Sequence, residues 1–78
     1  MSHHLYLIDD KINSFKYVSA CLMETVKHTP IQAEQCCLIT HNNGKCHIKK
    51  GEYMELFEIQ EDLEKRELKV ELRTKMYK

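Results

Sequence analysis

Between Thr29 and Gly44 the chain carries the start and stop signals of one helix, and this pair constrains the fold more than any other stretch. Thr29-Pro30-Ile31-Gln32 places a hydroxyl at the cap, proline at the first helical position and glutamine at the third. The hydroxyl and the glutamine side chain can each accept from a backbone N–H that a helix start leaves unpaired, and proline has no N–H to lose. The helix is expected to run to about His41 and to stop at Asn42-Asn43-Gly44, where glycine can adopt the left-handed cap. Ala33, Cys37, Thr40 and His41 share one of its faces.

With that helix fixed, the flanking segments can be read by their period. Leu5-Tyr6-Leu7-Ile8 is apolar in both alternating sets, as expected of a strand central in its sheet. Asp9-Asp10-Lys11-Ile12 is a polar turn, after which Asn13 or Ser14 can cap a helix whose apolar residues Phe15, Val18, Leu22 and Val26 repeat at helical spacing. Beyond Gly44, Lys45-Cys46-His47-Ile48-Lys49 alternates as a second strand closed by Lys50-Gly51. Residues 52–66 carry Leu56, Ile59 and Leu63 at helical spacing, and residues 68–73 alternate strictly, as a strand with one wet face does. Residues 1–4 are expected to be disordered and residues 74–78 to be a frayed tail, which leaves a domain over residues 5–73. The order β-α-α-β-α-β describes a single α+β domain, its helices packed on one side of a small sheet.

Size and charge narrow the function. A chain of 78 residues buries only about 60% of the surface its unfolded form exposes, so a shallow site is expected rather than a deep enzyme cleft. Twelve basic and twelve acidic side chains are interleaved, which provides no positive stripe for nucleic acid. The longest apolar runs, residues 5–8 and 36–40, are too short to cross a bilayer, and Met-Ser-His-His lacks the form of a secretory signal. A cytoplasmic protein without a membrane partner is expected.

Four cysteines suggest a disulfide or a metal, but the spacing argues against both. There is no C-x-x-C pair, and the adjacent Cys36 and Cys37 point about 100° apart on a helix. Reduced thiols serving as small apolar side chains are expected, with no metal and no cofactor. No nucleotide loop, nucleophile elbow or zinc-protease motif is present, so an enzyme is not expected. The carboxylates of Asp9 and Asp10 are more often solvated in such a turn than bound to a metal, and they can also accept from a cation such as a free amino terminus. His41, in the last turn of its helix, either interacts with the terminal carbonyls or belongs to a site. Phe15, Val18, Cys37 and Thr40 line either a core or a pocket, because periodicity alone does not separate the two.

These same residues carry a family resemblance. Asp9-Asp10-Lys11-Ile12-Asn13-Ser14-Phe15-Lys16-Tyr17-Val18 resembles the opening of a ClpS adaptor, where Asn-Asp-Asp precedes the first helix. His28-Thr29-Pro30-Ile31-Gln32-Ala33-Glu34-Gln35-Cys36, with its continuation through His41-Asn42-Asn43-Gly44-Lys45-Cys46, resembles the second helix and following strand of that family. The later Lys49-Lys50-Gly51, Glu55-Leu56, Leu63 and Leu68-Lys69-Val70-Glu71-Leu72 agree as well, so the resemblance spans roughly residues 5–73 without a gap and is close to Bacteroidetes versions. It implies a three-stranded antiparallel sheet, as in the C-terminal domain of the ribosomal stalk protein. It further implies a monomeric adaptor that docks on the amino-terminal domain of a Clp AAA+ unfoldase and delivers substrates bearing a bulky apolar first residue, the N-degron. Asp9 falls on the family's asparagine, Asp10 on its first aspartate, Lys11 on its second and His41 on its histidine, the set that holds the α-amino group. Phe15, Val18, Leu22, Cys37 and Thr40 fall on the wall of the side-chain pocket, which is expected to take Leu, Phe, Tyr or Trp and to reject β-branched residues. Lysine at an acidic position also leaves open a module that docks on the unfoldase without recognising an N-degron.

Overall fold

Leu5 and Leu7 lie at the middle of the molecule, both almost wholly withdrawn from solvent, because the strand that carries them is paired on both edges. The computed structural model describes residues 2–75. In chain order the elements are β1 (His3–Ile8), α1 (Phe15–Thr25), α2 (Pro30–Asn43), β2 (Lys45–Gly51), α3 (Tyr53–Lys65) and β3 (Val70–Arg73). The sheet has the order β2-β1-β3 and is antiparallel throughout. Leu5 and Leu7 pack with Leu22 of α1, with Ala33, Cys36 and Cys37 of α2 and with Leu56 and Leu63 of α3. Each fully buried leucine contributes about 2–3 kcal/mol by leaving water, and four of them (Leu5, Leu22, Leu56 and Leu63) anchor a core that a chain this short has little else to support.

The strand boundaries differ from expectation at both ends. β1 begins at His3, so His3 and His4 are not disordered: His3 pairs with Gly51 and His4 with both Lys50 and Arg73, and His4 is buried. Their alternation was masked by sitting directly before an all-apolar run. β3 starts at Val70, two residues later than the pattern suggests, because Leu68 turns into the core while the Lys69 carbonyl accepts from the Ile8 N–H at 2.9 Å. Thr74 and Lys75 form a bend, and residues 76–78 of the expected frayed tail lie outside the described residues. A bulge between Leu5 and Tyr6 shifts the β1–β2 register.

The first two helices are capped by their own sequence. The Thr29 hydroxyl accepts from Gln32 N–H at 3.2 Å, and the Gln32 side chain accepts from Thr29 N–H at 2.9 Å, completing the capping box. α2 continues to Asn43 and ends on Gly44 at φ 89°, a left-handed position that would cost an L-residue about 1–2 kcal/mol. Of the two cap candidates for α1, Ser14 does the work, its hydroxyl accepting from Tyr17 N–H at 3.1 Å. Asn13 is thereby released for a different task at the site. No described helix is long and apolar enough to cross a membrane.

Candidate functional site

One backbone connection assembles the site. The left-handed turn at Gly44 sends its N–H back to Thr40 O and presents its carbonyl to Asp9 N–H, each at 2.8 Å. The end of α2 is therefore fastened to the turn that follows β1, which brings His41 beside Asp9 and Asp10 although they are more than thirty residues apart. Between them opens a small cleft, continuous with solvent. Asp9, Asp10, Asn13 and His41 supply its polar lining, and Phe15, Val18, Cys37, Thr40, Leu7, Ile8 and Leu68 the remainder.

The polar groups at this cleft differ in how they are held. Asp10 closes a tight turn: its Oδ1 accepts from Ile12 N–H and its Oδ2 from Asn13 Nδ2, both at 2.8 Å. Those bonds fix the carboxylate while using only two of its roughly four lone-pair sites. Asn13 Nδ2 also donates to Glu67 O at 2.8 Å, tying the turn to the α3–β3 connection, where Glu67 itself sits at φ 66°. Among the described residues, the Asp9 carboxylate and the His41 ring have neither a hydrogen-bond nor an ion-pair partner. His41 lies in the last turn of α2, with an exposed ring that donates no hydrogen bond to the terminal carbonyls.

The apolar wall arises from a gradient along α1. Leu22 is fully buried and Val26 nearly so, Val18 is half-buried, and Phe15 is 45% exposed. The same stripe is core at its inner end and cleft at its outer end. Phe15, Val18, Cys37 and Thr40 accordingly meet at the cleft. Leu22 does not, because it is one turn too deep and packs in the core instead. Opposite α1, the Thr40 hydroxyl donates to Cys36 O at 2.7 Å, so its polarity is spent on the helix backbone. Burial pushes the Cys37 thiol up from its ordinary range, which keeps it neutral and suits an apolar wall.

Lys11 stands apart from this inner cleft. It is exposed and lines a broader groove immediately outside, which shares Asp9, Asp10, Asn13, Phe15 and His41 with the cleft and adds Leu38. Asn13, Leu7, Ile8 and Leu68 were not foreseen as part of the site. The pair of short polar side chains Asp10 and Asn13 flanking the turn was a signal for Asn13. Nothing in the sequence marks Leu68, which reaches the cleft only through its tertiary position.

The cysteines form no disulfide. Cys36 is buried against Cys46, and the hydrogen bond between them raises the Cys36 thiol and lowers that of Cys46. Among the described residues no three histidine, cysteine or carboxylate side chains are placed to hold a metal ion.

Comparison with known proteins places this architecture. The family model of the ATP-dependent Clp protease adaptor protein ClpS matches residues 1–75. Among solved structures, that of Agrobacterium tumefaciens ClpS2 bound to L-phenylalaninamide superposes with a TM-score of 0.78, at 15% sequence identity, covering 92% of this chain and 94% of that one. No curated protein matches the chain by sequence. The structural likeness establishes the shared fold, and the family match spans nearly the whole chain. The chain belongs to the ClpS family of Clp protease adaptors.

Proposed function

We propose that this adaptor captures proteins through a free, bulky apolar amino-terminal residue and delivers them to a Clp AAA+ unfoldase. The observation that carries the reading is the coincidence, at one cleft mouth, of the unpartnered Asp9 carboxylate and His41 ring with an apolar wall behind them. An α-amino group ionises near pH 7.7–8.0, so near neutral pH it is mostly a cation with three donors. Withdrawing it from water is unfavourable unless each donor finds an acceptor. Asp9 offers a whole carboxylate, Asp10 its remaining lone pairs in a fixed orientation, and His41 a ring nitrogen when neutral. The first side chain would then enter between Phe15, Val18, Cys37 and Thr40. The Agrobacterium relative, whose ligand joins a free α-amino group to a benzyl side chain, supports this pairing of demands.

The test is fluorescence anisotropy with a labelled peptide that begins with Phe, compared with the same peptide acetylated at its amino terminus. Micromolar or tighter binding that acetylation removes is the expected result, with His41→Ala abolishing it. Equal and negligible binding of both peptides would leave an unfoldase-docking module without N-degron recognition, the reading that lysine at position 11 favours.

A further inference from the structure

The groove outside the cleft is where a captured chain has to leave. Its walls include Asp9, Asp10, Phe15 and His41, the same residues that form the cleft mouth, and it continues past them to Leu38 and Lys11. A peptide whose first residue is seated in the cleft has its second α-carbon only about 3.8 Å further along, which puts its second side chain within reach of this groove. The floor it meets is apolar, with Phe15 45% and Leu38 40% exposed. Among the described residues Lys11 makes no ion pair or hydrogen bond, so its ammonium is not already committed elsewhere.

The charge balance of the groove changes when the site fills. In the free protein the two carboxylates outweigh the single lysine. Once a substrate ammonium lies on Asp9 and Asp10, one of their two negative charges is compensated and Lys11 balances the other, so the groove changes from net negative to neutral with the Lys11 ammonium as its fixed cation. From this arrangement we infer that Lys11 makes the adaptor selective for substrates with an acidic residue directly after the apolar first residue, and averse to basic ones there. The inference rests on the amino-group recognition proposed above. The aliphatic part of a glutamate can lie over Phe15 and Leu38 while its carboxylate reaches Lys11, and an arginine or lysine in the same place brings two cations together.

The experiment compares three peptides beginning Phe-Glu, Phe-Ala and Phe-Lys, otherwise identical, each with and without amino-terminal acetylation, against the wild-type chain, Lys11→Ala and Lys11→Glu. An exposed ion pair of ordinary strength corresponds to roughly a three- to tenfold tighter binding of Phe-Glu than of Phe-Lys, with Phe-Ala between. High salt should shrink that ratio, since screening acts over about 10 Å at 0.1 M. Lys11→Ala should compress the ratio and Lys11→Glu should invert it. Acetylation-sensitive binding with a Glu-to-Lys ratio that Lys11→Ala leaves unchanged would overturn the inference while the proposed function stands. Absence of acetylation-sensitive binding for all three peptides would overturn both together.

Discussion

The two ends of β1 open onto surfaces that treat their polar groups in opposite ways. At its carboxyl end, Asp9 and His41 face a cleft with no partner among the described residues, and Asp10 is held by two bonds that leave acceptor capacity free. Toward its amino end, on the sheet face away from the helices, His4 Nδ1 lies 3.0 Å from His47 Nε2, and the two rings approach at 5.2 Å. Tyr6 meets the same His47 ring edge-on at 5.2 Å, and Glu71 and Arg73 form an ion pair beside them at 3.4 Å. One surface closes its hydrogen bonds internally and the other keeps them available. Buried polar groups favour the first arrangement energetically, whereas the half-buried Asp9 and the exposed His41 stay open to water or to a ligand.

The largest effect that could break this contrast lies in the core that supports both surfaces. Leu22→Ala removes a fully buried side chain and should cost about 2–5 kcal/mol, read as a lowered urea midpoint. Phe15→Ala, one end of the same helical stripe, should cost well under half of that. It should instead weaken binding of a Phe-initial peptide by roughly tenfold, the equivalent of ~1.4 kcal/mol. Comparable stability losses in the two variants would mean that the cleft wall is simply core and that its opening has no binding role.

A middle-sized effect is expected at Asn13, which belongs to the site only through the bonds it makes. Asn13→Ala deletes two hydrogen bonds of 2.8 Å and should lower stability by about 1–2 kcal/mol. Because Asp10 loses its lateral support, peptide affinity should fall as well. Asn13→Asp should do more damage than Ala, since it replaces a donor with a second carboxylate against Asp10. Peptide titration alongside urea unfolding separates the two effects, and an unchanged affinity in Asn13→Ala would show that the turn needs no such brace.

Most of the fold was legible because local signals agreed with one another. The capping box at Thr29, the glycine at position 44 and the leucines of α3 each specify their element without tertiary help. The family resemblance brought Asp9, Asp10 and His41 together before any geometry was known, and Gly44 then explains physically how they meet. Two things could not be read in this way. Leu22 and Phe15 occupy the same helical stripe, and only packing against α2 and α3 decides where core ends and cleft begins. His3 and His4 look like a dispensable polar start, yet pairing with Gly51, Lys50 and Arg73 makes them part of β1. Their partners come from distant sequence, so no local window contains the information.

The smallest expected effect tests whether the closed surface is truly closed. Burial lowers the affinity of His47 for a proton, with further contributions from the charges of His4 and Lys50, while the Tyr6 ring meets it from β1 and Glu71 lies beyond Tyr6 on β3. Its folded-state pKa therefore lies below the value near 6.5 that an unfolded chain would show. Between those two values the unfolded state binds more protons, so stability rises with pH: the contribution is complete above pH ~6.5 and is lost as the pH falls below it. The urea midpoint of the wild-type chain should consequently drop between neutral pH and mildly acidic pH, and His47→Gln should flatten part of that drop. The diagnostic quantity is the difference in slope between the two proteins. Identical slopes would mean that the His4–His47–Tyr6 contact stays open to water in solution, and the contrast between the two ends of β1 would then rest on the cleft alone.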